Sequence, residues 1–206
     1  MKLIVSNKAV SPWPFRSWLV MKSFEIPFEE VFLDLSLPQR KERLSAVSPT
    51  GKVPILVDGG ILVWESLSII EYVAEKFTSL PIWPQDRGAR AHARSIANEM
   101  NAGFSALRQH CPMNMLRVPE PVELGGEVQA DIDRIVEIWE ETRVRFGAGG
   151  PFLYGAFSAA DAMFAPVVSR FHSYGIPVPR EARNYMQTMM AMPAWGEWLG
   201  DCRTAT

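Results

Sequence analysis

Ser48-Pro49-Thr50-Gly51-Lys52-Val53-Pro54-Ile55-Leu56-Val57-Asp58-Gly59-Gly60-Ile61-Leu62-Val63-Trp64-Glu65-Ser66 is the stretch that decides the fold. Two apolar runs, 53–57 and 61–64, flank Asp58-Gly59-Gly60, so the sequence predicts a tight β-hairpin. A helix follows over 66–77, with Leu67, Ile70, Ala74 and Phe77 at helical spacing. Upstream, the run 2–6 reads as a strand, 15–24 as a helix stopped by Pro27, 28–35 as a strand and 39–46 as a short polar helix. The order of this half is therefore β-α-β-α-β-β-α. Downstream, 80–88 carries Pro81, Pro84 and Gly88 and reads as a linker. Strand signals then stop, and helices are predicted over 89–109, 128–146, 158–174 and 180–190. The fold class is an α/β domain over 1–79 followed by an all-helical domain over 89–206.

Composition narrows the function classes. The chain has 206 residues, with 21 Lys plus Arg against 23 Asp plus Glu. That near balance gives no electrostatic case for nucleic acid. Two cysteines, Cys111 and Cys202, and three scattered histidines, His92, His110 and His172, offer no disulfide framework and no metal-ligand spacing. No apolar run approaches the roughly 20 residues of a membrane span, and the start lacks a signal-peptide core. The expectation is a cytoplasmic protein with no metal.

Four segments carry possible chemistry. Ser11-Pro12-Trp13-Pro14-Phe15-Arg16 lies between the first strand and the first helix. A serine hydroxyl at a helix start, beside unpaired backbone N–H groups, suits an anion, although a plain cap would use the same residue. In Lys52-Val53-Pro54, a cis Pro54 would turn the Val53 main chain toward a peptide-like ligand. An ordinary trans proline at a strand edge is the commoner outcome. Glu65-Ser66 pairs a carboxylate acceptor with a helix start, an arrangement suited to an α-amino acid head group, or simply to an N-cap at Ser66. Phe157-Ser158-Ala159-Ala160-Asp161 reads as a capping box with a structural role.

In this order and spacing, the four segments resemble the cytosolic glutathione S-transferase family along nearly the whole chain. The resemblance is to serine-type, tau- or zeta-like members. It implies a thioredoxin-like N-terminal domain, a cis Pro54, a homodimer and glutathione as co-substrate, with a hydrophobic electrophile as the second substrate. It implies that Ser11 hydrogen-bonds the glutathione sulfur, and that the Val53 main chain next to Pro54 pairs with the cysteinyl part. Glu65 and Ser66 would hold the γ-glutamyl head, and Lys52, or more weakly Lys41, would meet the glycyl carboxylate. Trp13, Phe104, Leu107, Arg108 and Met115 are the candidate walls of the electrophile pocket, by position alone.

Two departures limit the resemblance. Zeta-type members carry Ser-Ser-Cys where this chain has Ser11-Pro12-Trp13, and omega-type members carry a cysteine where Ser11 stands. The expected activity is thus transfer of an alkyl or aryl group to the glutathione sulfur. The alternatives are a glutathione-dependent isomerase and a non-catalytic protein-binding module of the same fold.

Overall fold

The structure, a computed structural model, describes residues 1–35 and 38–204, with backbone only at Arg40 and Lys41. Four strands, β1 (Lys2–Val5), β2 (Glu29–Phe32), β3 (Ile55–Asp58) and β4 (Ile61–Trp64), form one sheet in the order β2-β1-β3-β4. β1 and β2 run parallel, while β3 is antiparallel to both β1 and β4. The predicted hairpin forms with Asp58 opposite Ile61, and Gly59 takes the left-handed φ of 60° that the turn requires.

Three helices complete this half: α1 (Pro12–Ser23), α2 (Arg40–Ser45) and α3 (Ser66–Lys76). The β-α-β-α-β-β-α order and the thioredoxin-like arrangement are those expected. Strand 28–35 is shorter than predicted, and the Val53-Pro54 bond precedes β3 and is cis. The helical half holds α4 (Arg87–Ala102), α5 (Ser105–His110), α6 (Gly126–Phe146), α7 (Ala159–Ser173), α8 (Arg180–Met190) and α9 (Pro193–Thr204).

Two differences from the expected elements have clear causes. The helix expected over 89–109 is broken into α4 and α5, because Phe104 adopts a left-handed φ of 62° that ends one helix and re-aims the next. The predicted helices end at Met190, whereas α9 follows. Its signal is present in the sequence: Pro193 at the first turn, then Trp195, Trp198 and Cys202 at three- and four-residue steps, all three buried.

The site is held from behind. α7 is buried around almost its whole circumference and runs through the core against α1 and α4. Its start carries the predicted capping box: Asp161 accepts from the Ser158 N–H and hydroxyl at 2.9 Å each, and from the Leu153 N–H at 3.0 Å. α9 returns to the first half, where Trp195 and Trp198 pack on Phe15 and Trp198 packs on Trp18. The buried Lys8 ammonium lies between Glu30 and Asp201 and over both the Trp18 and Trp198 rings, while the Trp198 indole N–H donates to the Lys8 carbonyl. These contacts fix the loop that leads into α1. The segment between α3 and α4 is anchored as well, since Ile82 and Trp83 are buried and the Ile82 carbonyl accepts from the Ala159 N–H at 2.8 Å. Among the described residues, no helix is long and apolar enough to cross a membrane.

Candidate active site

Ser11, Trp13, Lys52, Val53, Pro54 and Glu65 line one cavity of about 460 Å³, together with Leu35, Leu44, Thr50 and Gly51. Each arrives there for a local reason. Ser11 is the N-cap residue of α1, with extended backbone. Its hydroxyl caps nothing and has no hydrogen-bond partner among the described residues, while its N–H donates to the Asn7 carbonyl at 3.0 Å. Pro12 and Pro14 have no N–H, so the first turn offers a single unpaired backbone donor, that of Trp13. The array of N–H groups expected at this helix start therefore reduces to one N–H beside one hydroxyl.

The loop before β3 is closed by the buried Ser48. Its hydroxyl accepts from the Lys52 N–H at 3.1 Å and donates to the Lys52 carbonyl at 2.9 Å. Gly51 makes the turn inside this ring at φ 64°. Val53 follows, and neither its N–H nor its carbonyl makes a backbone hydrogen bond among the described residues. Pro54 is buried beneath it. Both main-chain groups of Val53 remain available to an extended ligand.

Glu65 has φ 65°, a left-handed value that costs a non-glycine residue about 1–3 kcal/mol. It, and not Ser66, is the N-cap residue of α3. The strained backbone keeps its exposed carboxylate at the cavity, near the positive end of the helix. Ser66 departs from expectation. It is fully buried, and its hydroxyl donates to the Trp13 carbonyl at 2.8 Å. Its hydroxyl hydrogen thus ties α3 to the first turn of α1 and is not offered to a ligand.

The expected walls of the second pocket divide. Trp13 lines the cavity, and the half-buried Arg108 lies with its guanidinium carbon 5.1 Å from the Trp13 ring. Leu107 is fully buried and Phe104 nearly so, and neither lines this cavity. The turn at Phe104 rotates Leu107 inward, where its N–H donates to the Asp131 carboxylate at 2.9 Å. Met115 packs against the core, with its N–H on the Ala9 carbonyl and its sulfur 3.1 Å from the Ser169 hydroxyl. The Lys41 side chain lies outside the described residues.

Neither cysteine approaches this cavity. Both are buried, and burial pushes the Cys111 thiol up and the Cys202 thiol up to about 12. Among the described residues there is no cluster of His, Cys, Asp and Glu of the kind that holds a metal ion.

Residues 10–76 match the family model of the glutathione S-transferase N-terminal domain, and residues 90–201 match that of its C-terminal domain. The chain belongs to the glutathione S-transferase family. A relative from Caenorhabditis elegans, a probable maleylacetoacetate isomerase, is 33% identical over 115 residues. That match covers 56% of this chain and about half, 52%, of the relative. The glutathione S-transferase GstB of Escherichia coli K12 is 23% identical over 180 residues, covering 82% of this chain and 84% of its own. Among solved structures, a glutathione transferase homologue from Burkholderia gl BGR1, with bound glutathione, superposes with a TM-score of 0.76 at 24% identity and covers 98% of both chains.

Proposed function

We propose that this glutathione S-transferase family member binds glutathione in the 460 Å³ cavity and activates its thiol for attack on an electrophile. The observation that carries this reading is the unpartnered Ser11 hydroxyl, at the head of a cavity that also holds the free Val53 main chain and the Glu65 carboxylate. The Val53 N–H and carbonyl pair with the cysteinyl unit, as an added strand would. Glu65 accepts from the γ-glutamyl ammonium, and the Ser66 N–H at the start of α3 faces the neighbouring carboxylate. Lys52 meets the glycyl carboxylate. The sulfur then lies at Ser11.

The magnitudes close. A thiol titrates near pH 8.5, and lowering that by about two units needs roughly 2.7 kcal/mol in favour of the thiolate. A hydrogen bond to a charged group supplies about 1.5–3 kcal/mol, and the Trp13 N–H adds a fraction more. No general base is needed. The thiol proton leaves to solvent and the sulfur pair forms a bond to carbon. The electrophile then either expels its leaving group or takes up a proton. The second route ends in addition or, once glutathione departs, in isomerisation.

The assembly is a homodimer in this reading, supported by the edge strand β4, which leaves Ile61, Leu62 and Trp64 exposed. The partition into a glutathione domain over 1–79 and a helical domain over 89–206 belongs to the same proposal. The test is retention on immobilised glutathione, followed by titration of the bound thiol through its thiolate absorbance. Wild type is expected to hold thiolate at neutral pH and Ser11→Ala to lose most of it. No retention, with no turnover of a generic aryl halide, would leave the protein-binding alternative standing.

A further inference from the structure

One residue of the Ser11–Arg16 turn has no part in the reading above. Arg16 is fully buried, and only its Nε is satisfied, by the Met163 carbonyl at 3.1 Å. Its Nη1 and Nη2 have no partner. Its guanidinium carbon stands 4.5 Å from the Trp13 ring, the same ring that Arg108 approaches at 5.1 Å. Arg170 completes the group from α7, with Nε on the Cys111 carbonyl at 2.9 Å and Nη1 on the Pro166 carbonyl at 3.1 Å.

No carboxylate answers these three charges. None of them forms an ion pair among the described residues, and every acceptor they have is a backbone carbonyl. Arg108 places Nε on the Gly103 carbonyl and Nη2 on the carbonyls of Met100 and Asn101, leaving Nη1 free. Asp131 is the acidic group that acts on Arg108, but one of its oxygens already accepts from the Leu107 N–H. Burial, then the neighbouring Arg108 and Arg170, pull the Arg16 guanidinium well below its ordinary value. An uncompensated buried cation is among the more expensive features a fold can carry, and a planar guanidinium fork is shaped for a carboxylate.

Trp13 joins this group to the cavity, since it lines the cavity beside Ser11 and packs against both guanidiniums. We infer that the second substrate is anionic: it carries a carboxylate that Arg108 receives beside Trp13, with the buried Arg16 holding the local potential positive. The inference rests on the reading that glutathione fills the cavity with its sulfur at Ser11, and it replaces a plain hydrophobic electrophile with a charged one. Arg108, being half-exposed, makes the contact, and Arg16 is a positioning residue.

The experiment compares binding of 3,5-dinitrobenzoate and of its uncharged methyl ester to the full chain, with and without glutathione. The acid is expected to bind at least about tenfold tighter, with the margin shrinking as salt is raised. Arg108→Gln should erase most of the preference. Arg16→Met should narrow it, and because this change removes an uncompensated charge, the melting temperature should not fall as it would for a merely structural arginine. Equal affinity for acid and ester in wild type, or a preference that survives Arg108→Gln, overturns the inference. Retention on immobilised glutathione is measured on the same preparations. Glutathione binding without acid preference sinks only the anionic substrate, whereas acid preference without glutathione binding sinks the glutathione reading and, with it, the anion's role as second substrate.

Discussion

Ser11 and Ser158 both open a helix, and both precede a helix with proline in it, yet their hydroxyls have opposite fates. At Ser158 the hydroxyl and N–H both meet the Asp161 carboxylate, and the group is sealed in the core. At Ser11 the hydroxyl meets nothing and faces a cavity. The sequence around each explains the difference. Asp161 stands three residues after Ser158, where a box partner is needed, while the same position after Ser11 is Pro14, which has neither an acceptor side chain nor an N–H to be capped. With no partner three residues on, the Ser11 hydroxyl is left open to the cavity.

The sharpest way to break the comparison is at Asp161. Asp161→Ala strands the Ser158 and Leu153 N–H groups in the core, and the expected loss is about 3 kcal/mol, or roughly 10 °C in melting temperature. Turnover per folded molecule should not change. The carboxyl also titrates visibly. Burial raises it to about 6, against the hydrogen bonds from Leu153 and Ser158 that lower it. The folded state therefore holds the proton more tightly than the unfolded one, and this group adds stability as pH falls from about 6 toward 4, by of order 2–3 kcal/mol. Denaturant midpoints of wild type and Asp161→Asn across that range should diverge by this amount and run parallel above pH 7.

At Ser11 the expectation inverts. Ser11→Ala should leave stability within about 0.5 kcal/mol, because no cap is lost. The thiolate should lose about 1.5–3 kcal/mol of support, which is a fall of roughly 10- to 100-fold in kcat/KM at neutral pH, recovered in part as pH rises. A destabilised Ser11→Ala with unchanged kinetics would make the two serines alike. Ser11→Cys should introduce thiol-disulfide exchange with glutathione that wild type lacks, since both native thiols are buried.

Much of this contrast is legible in the amino-acid sequence. The hairpin, the order of elements and the Ser158 box follow from local patterns of two to four residues, and such patterns survive folding because they satisfy their own hydrogen bonds. Residues that depend on partners far along the chain are not legible in the same way. Nothing near Phe104 announces a left-handed turn, so one expected helix becomes two and Leu107 moves from pocket wall to core. Nothing near Arg16 announces its burial, which goes with a hydrogen bond to the Met163 carbonyl, 147 residues later. Glu65 looks like the residue before a cap, whereas its strained φ makes it the cap.

Ser66 lies between the two extremes and gives the finest test. Its hydroxyl is committed, like that of Ser158, but to the Trp13 carbonyl, inside the turn that presents Ser11. Removing it should cost about 1 kcal/mol of stability, the ordinary worth of one hydrogen bond, and should also loosen the turn. Ser66→Ala is therefore expected to weaken glutathione binding a few-fold, about two to five, while kcat at saturating glutathione stays within about twofold. If the hydroxyl touched the ligand in place of Trp13, the loss of affinity would exceed about tenfold and stability would hardly move. Measuring both on one variant tells a serine that supports the site from one that forms it.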